Sequence, residues 1–228
     1  MPDGRRDGAG GRQIERQHSL SEPPRRPEAD DLLRRAFPER VREDVDAVCE
    51  LMPGSRFSPV MGGTSKGRGG SVRIGGEAVQ TIGRLYNPVL ETLHTGALPP
   101  DRAQMLACLY SRHADGFVRE RQLPLALNTE APWTPLFVLQ LLGEYVVEIA
   151  ATVERHLARL DQSAFVAFRD ANPDFVALTC ERVVSYWRCY YASTRLVDHP
   201  PYRVMAALDL WTGHVGGRWV ERGSHGRR

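Results

Sequence analysis

With 228 residues, 42% of them hydrophobic and 25% charged, the chain lies near the globular average, which excludes a fibrous or wholly disordered protein and leaves room for one packed domain. Its formal charge of +2 gives no general pull toward nucleic acid or acidic membranes, and all 30 basic residues except Lys66 are arginine. No apolar run follows the arginines near the N-terminus, so a secretory signal is not read there and a cytoplasmic location is expected.

Residues 1–28 are rich in Gly, Arg, Pro and Ser and nearly lack large apolar side chains. They bury too little to offset the entropy of ordering, and a disordered tail is expected. A helical domain is expected over 29–213, followed by a loose tail at 214–228. In the phrase DDLLRRAF a short helix forms and Pro38 interrupts it. Val41, Val45, Val48, Cys49 and Met52 then recur at helical spacing in a second helix that runs to Pro53. Glycines crowd the following stretch and predict a flexible loop at about 54–70. Ser71–Ile74 and Glu77–Val79 flank Gly75 and Gly76 at the spacing of a two-residue hairpin, the one strand pair expected.

After Asn87 and Pro88 the helical pattern returns. One helix opens at Pro99 and Pro100, carries Met105, Leu106, Leu109 and Tyr110 on one face, and stops near His113. Ala114, Asp115 and Gly116 turn the chain into a second, with Val118, Leu123 and Leu127 apolar and Pro124 weakening it. Thr134 and Pro135 open a central helix that the pattern continues to about Leu160, with its polar residues in one stripe at Gln140, Glu144, Glu148 and Thr152. Asn172, Pro173 and Asp174 repeat the start signal, and Val176, Cys180, Val183, Val184 and Trp187 mark the buried face of the next helix to about Tyr191. Pro200 and Pro201 precede a last helix with Val204, Ala207, Leu208 and Trp211 in register, ended by Gly213. The fold class read from this is mainly α, an irregular helical bundle of about six to eight helices with one small β-hairpin.

The phrase CLYSRHADGFVRERQLPLAL, 20 of the 228 residues, resembles one unit of a HEAT-type helical repeat. Asp115 stands in the turn, Val118 and Arg119 open the second helix, and Leu123 and Leu127 take the apolar places. The resemblance implies a helical hairpin and carries no function with it. No fixed period repeats the phrase along the chain, so an irregular bundle rather than a solenoid is expected.

Few residues carry chemistry. On a continuous central helix Glu144 and Glu148 share a face one turn apart, where like charges repel. Either the stripe faces water or is matched by arginines such as Arg119, Arg182 or Arg188, or the two form a catalytic or ligand-holding carboxylate pair that His113 or Arg119 completes. The phrase GGTSKGRG has the Gly62 to Gly67 separation of a phosphate-binding loop. Arg68 and Gly69 stand where Lys and Ser or Thr are needed, and a strand follows where a helix should begin. It reads as a flexible loop that offers Lys66 and Arg68 to an anion. In SYWRCYYASTR the rings of Tyr186, Trp187, Tyr190 and Tyr191 lie beside Arg188 and Arg195, which suits helix packing first, a protein-binding face second and base stacking last.

No metal or cofactor is expected. Glu91 with His94 is the one ExxH phrase within the expected helical domain, and Cys49, Cys108, Cys180 and Cys189 form no CxxC. On one helix Cys180 and Cys189 stand about 13 Å apart along the axis, too far for a disulfide, so buried free thiols are expected. The most apolar stretch, 135–153, contains Glu144 and Glu148, each costing about 3 kcal/mol in a bilayer, and reads as a core helix. The reading that follows is a non-catalytic protein-interaction module with a helical body, whose partner is another protein rather than nucleic acid or a membrane. The alternative is a small-molecule enzyme or ligand-binding protein built on Glu144 and Glu148. Oligomeric state is not legible. Trypsin is expected to trim residues 1–28 without lowering the melting temperature; a drop of several degrees in a chain starting at Ala29 would show that the tail is docked.

Overall fold

The computed structural model describes residues 27–52, 70–89, 98–127, 131–212, 214–215 and 218–219. Nearly all of the expected N-terminal tail, the glycine-rich stretch with Lys66 and Arg68, and most of 213–228 lie outside the described residues. The helices are α1 (Pro27–Arg34), α2 (Arg42–Leu51), α3 (Pro100–Tyr110), α4 (Gly116–Ala126), α5 (Thr134–Leu142), α6 (Val147–Arg155), α7 (Gln162–Ala171), α8 (Pro173–Tyr190) and α9 (Pro200–Ala207). The strands are β1 (Ser71–Ile74), β2 (Glu77–Gln80), β3 (His214–Val215) and β4 (Arg218–Trp219). This is the expected mainly helical bundle with a small hairpin. A further two-residue pair, β3 and β4, lies within the stretch expected as a loose tail. Two residues per strand are too few to show an alternating pattern in a sequence.

The hairpin β1–β2 is antiparallel, with Val72 opposite Val79 and Ile74 opposite Glu77. Gly75 and Gly76 turn it with φ of +60° and +85°, the left-handed region that a two-residue hairpin requires and a Cβ disfavours. Val72, Ile74 and Val79 face the core. The outer edge of β1 is not left open, because the side-chain amide of Asn172, which follows α7, pairs with it as a strand would. Arg73 N donates to Asn172 Oδ1 at 2.6 Å, and Asn172 Nδ2 donates to Arg73 O at 2.9 Å. On the other side Gln80 N donates to Arg35 O at 2.7 Å, just after α1.

Helix α5 is the centre of the core. Every residue of it except Gln140 is buried, and it packs against α6, α7 and α8. Phe137 stacks on Phe37 at 5.6 Å, and Phe37 meets Trp133 edge-on at 5.5 Å. The Trp133 indole donates to Gln104 Oε1 at 2.7 Å and Gln104 Nε2 donates to Ala126 O at 3.1 Å, so one buried amide ties α3 and α4 to the start of α5. Helices α3 and α4 form the helical hairpin expected from their turn. Asp115 caps α4, its carboxylate accepting from Phe117 N at 2.8 Å.

Three expectations are corrected. The central helix does not run from Thr134 to Leu160: it stops at Leu142 and a new helix begins at Val147. Gly143 costs only about 1 kcal/mol within a helix, so the apolar pattern hides the break, and pairing of Glu144 with distant arginines outweighs helix continuation. Of the four cysteines expected to be buried, Cys189 is exposed, because it lies on the outer face of the last turn of α8. Trp187 is half-buried rather than core, its Nε1 donating to Thr194 O at 3.1 Å, whereas Val183 and Val184 are buried. Phe165→Ala should therefore cost about 3–5 kcal/mol in urea unfolding, and Trp187→Ala under about 2 kcal/mol. Equal losses at the two positions would mean that the end of α8 is as well packed as the core.

Candidate functional site

The break between α5 and α6 projects Glu144 into the junction of three other segments. After β2 the chain runs extended, and Gln140 Nε2 donates to Ile82 O at 3.0 Å to hold it along α5. Leu85 then pairs with the turn between α3 and α4, its N–H donating to Arg112 O at 2.9 Å and its carbonyl accepting from Ala114 N at 2.8 Å. That short parallel bridge sets Arg84 beside Arg112. Arg119, in the first turn of α4, folds back and donates from Nη1 to the carbonyls of His113 and Ala114 at 2.8 and 2.9 Å.

All three guanidiniums meet the Glu144 carboxylate. Arg112 Nη1 lies 2.6 Å from Oε1, Arg84 Nη2 2.7 Å from Oε2 and Arg119 Nε 3.4 Å from Oε2. The side chains of Glu144, Arg112 and Arg119 are 8%, 8% and 4% exposed, and that of Arg84 is 25% exposed. Burial pushes the Arg112 and Arg119 guanidiniums below their ordinary range; the Glu144 charge opposes this and the Arg84 charge adds to it. Three cations share one anion, so the cluster carries two surplus positive charges. Arg84 Nη1 and Arg112 Nε find no acceptor in the protein, and Arg119 Nε has only its 3.4 Å approach to Glu144 Oε2.

The other sequence-derived candidates fall in different places. Glu148 is exposed in the first turn of α6, so the two glutamates share neither a helix nor an environment. His113 is buried, with Nδ1 accepting from Asp115 N at 3.0 Å and Nε2 donating to Asn87 O at 2.9 Å, which assigns it a neutral tautomer that fastens the turn. Arg182 makes no ion pair with either glutamate and lays its Cδ 3.5 Å from where a Cβ on Gly143 would stand. Arg188 is exposed. Lys66 and Arg68 lie outside the described residues.

Tyr190 and Tyr191 belong to a tyrosine face beside the arginine cluster. Tyr145, the residue after Glu144, stands 6.2 Å from both Tyr186 and Tyr190, which stack on each other at 6.3 Å. Tyr190 meets Tyr191 at 6.5 Å, and the Tyr191 hydroxyl donates to Tyr145 O at 3.2 Å. Tyr145 and Tyr190 are 56% and 64% exposed. Tyr191 also packs on the buried His199 ring at 5.1 Å, and burial pushes the Tyr191 phenol up and His199 down. Sequence reading reached Arg119 and the tyrosines of α8 but not Arg112, Arg84 or Tyr145 as site members. Residues brought together from four separate segments leave no local spacing to detect.

Among the described residues no group of three or more His, Cys, Asp and Glu side chains is placed to hold a metal ion, and no helix is long and apolar enough to cross a membrane. Comparison of the chain with protein-family models, with curated proteins and with solved structures finds no match. Removing the Glu144 charge leaves three guanidiniums facing one another. Glu144→Gln should cost about 3–5 kcal/mol, a fall of roughly 10 °C in melting temperature, whereas Glu148→Gln should change stability by less than about 0.5 kcal/mol. Stabilisation by Glu144→Gln in thermal melts would show the carboxylate to be a source of strain rather than the support of its arginines.

Proposed function

We propose that the chain is a non-catalytic protein-interaction module, working in the cytoplasm, whose helical body presents the tyrosine face at the end of α8 to another protein. The observation that carries this reading is the cluster of four tyrosines linked by ring contacts, two of them more than half exposed, on one side of the turn that holds Glu144. Tyrosine gives a large contact area with little loss of rotamer freedom and a hydroxyl for orientation, which is why it recurs at the energetic centres of interfaces. The face is held from behind: Tyr191 is fastened to the Tyr145 backbone, and Trp187 closes the end of α8 through Thr194. A preorganised aromatic surface loses little entropy on binding.

The competing reading, an enzyme or ligand-binding protein built on Glu144 and Glu148, has less support. Its premise was a carboxylate pair on one helix, and here one carboxylate is matched by three arginines while the other faces solvent. His113 has both ring nitrogens engaged with the backbone.

Affinity capture from the native cells with the full-length chain and with a Tyr145→Ala, Tyr190→Ala double variant tests the proposal. One protein should be recovered in near-stoichiometric amount with the unaltered chain, and the double variant should retain its melting temperature while binding that protein about tenfold or more weakly. A partner held equally by both chains would remove the tyrosine face from the interface.

A further inference from the structure

We propose that Arg84, Arg112 and Arg119 form a binding site for a phosphate monoester dianion, with Glu144 as the internal anion that holds the three guanidiniums in place. The inference does not rest on the tyrosine face and would stand without it. Its first support is charge. Three guanidiniums facing one carboxylate leave two positive charges uncancelled, and Arg112 and Arg119 are only 8% and 4% exposed, where water screens little. Asp115 is the other anion acting on Arg119, but it is exposed and its Oδ1 is already engaged by Phe117 N. A dianion cancels the surplus; a phosphodiester, with one charge, cancels half of it.

The second support is hydrogen-bonding capacity. Arg84 Nη1 and Arg112 Nε are buried donors without a protein acceptor, from two of the three segments that meet at the same carboxylate. A phosphoryl group has three terminal oxygens that take such charge-assisted bonds, and the planar fork of arginine suits them. The third support is rigidity with a way in. Arg119 is pinned by the His113 and Ala114 carbonyls, and Arg112 by Glu144 at 2.6 Å. Arg84, 25% exposed, stands on the solvent side and is the group that an arriving anion meets first.

The full-length chain titrated with methyl phosphate and with dimethyl phosphate at constant ionic strength, followed by phosphorus NMR and thermal melts, tests the site. Methyl phosphate at millimolar concentration should raise the melting temperature by several degrees and bind about tenfold or more tightly than dimethyl phosphate. Its affinity should fall as pH drops through the second ionisation of the monoester, near pH 6. Arg84→Gln, which lowers the surplus charge, should weaken methyl phosphate about tenfold or more, and Arg84→Lys, which keeps charge but loses the fork, should fall between. A phosphotyrosine peptide and its unphosphorylated twin distinguish the source. Affinity for the phosphopeptide about tenfold above that for methyl phosphate assigns the dianion to a protein, and equal affinity assigns it to a small molecule. No binding of methyl phosphate at about 10 mM, equal binding of the two esters, or unchanged affinity in a folded Arg84→Gln chain overturns the proposal. Should Arg84→Gln not fold, the comparison of the two esters on the unaltered chain decides it.

Discussion

The carboxylate of Glu144 meets guanidiniums from the extended segment after β2, from the end of α3 and from the first turn of α4, while Glu144 itself lies in the turn between α5 and α6. Desolvating four charged groups costs several kcal/mol per ion, and only close pairing offsets it. The cost is what makes the cluster selective. Three arginines share one anion here, and their ion pairs tie the turn after α5 and the helical hairpin of α3 and α4 to the segment after β2. A carboxylate at this position holds the arrangement together at the expense of helix continuity.

The same economy of polar groups recurs elsewhere. Asn172 covers the edge of β1 with its amide, Gln104 joins three helices through one side chain, and His113 fastens the α3–α4 turn with both ring nitrogens. Each takes up backbone or side-chain groups that an irregular bundle would otherwise bury without partners. The parallel bridge at Leu85 belongs to this set and has the widest consequence, because it delivers Arg84 to the cluster.

The tyrosine face and the arginine cluster are neighbours by construction of the turn. Glu144 points inward to its arginines, and the next residue, Tyr145, points outward to Tyr186 and Tyr190. An aromatic surface and a surplus of buried positive charge therefore share one short segment of backbone. Movement of that segment would alter both at once, which links the exposed tyrosines to the electrostatics behind them.

Composition, helical spacing and turn chemistry determined a good deal without any structure: the mainly helical class, the hairpin at Gly75 and Gly76, the paired helices on either side of Asp115, and the start of α8 at Pro173. These are local properties. Backbone sterics and a repeating apolar face are written within a few residues of one another. Tertiary structure alone decided the break after Leu142, the separate fates of Glu144 and Glu148, the half-exposure of Trp187 and the gathering of Arg84 and Arg112. Each of these depends on the desolvation and pairing of charges, or on the packing of a helix end, between residues tens of positions apart in the chain. A local pattern holds no record of which distant partner will be present.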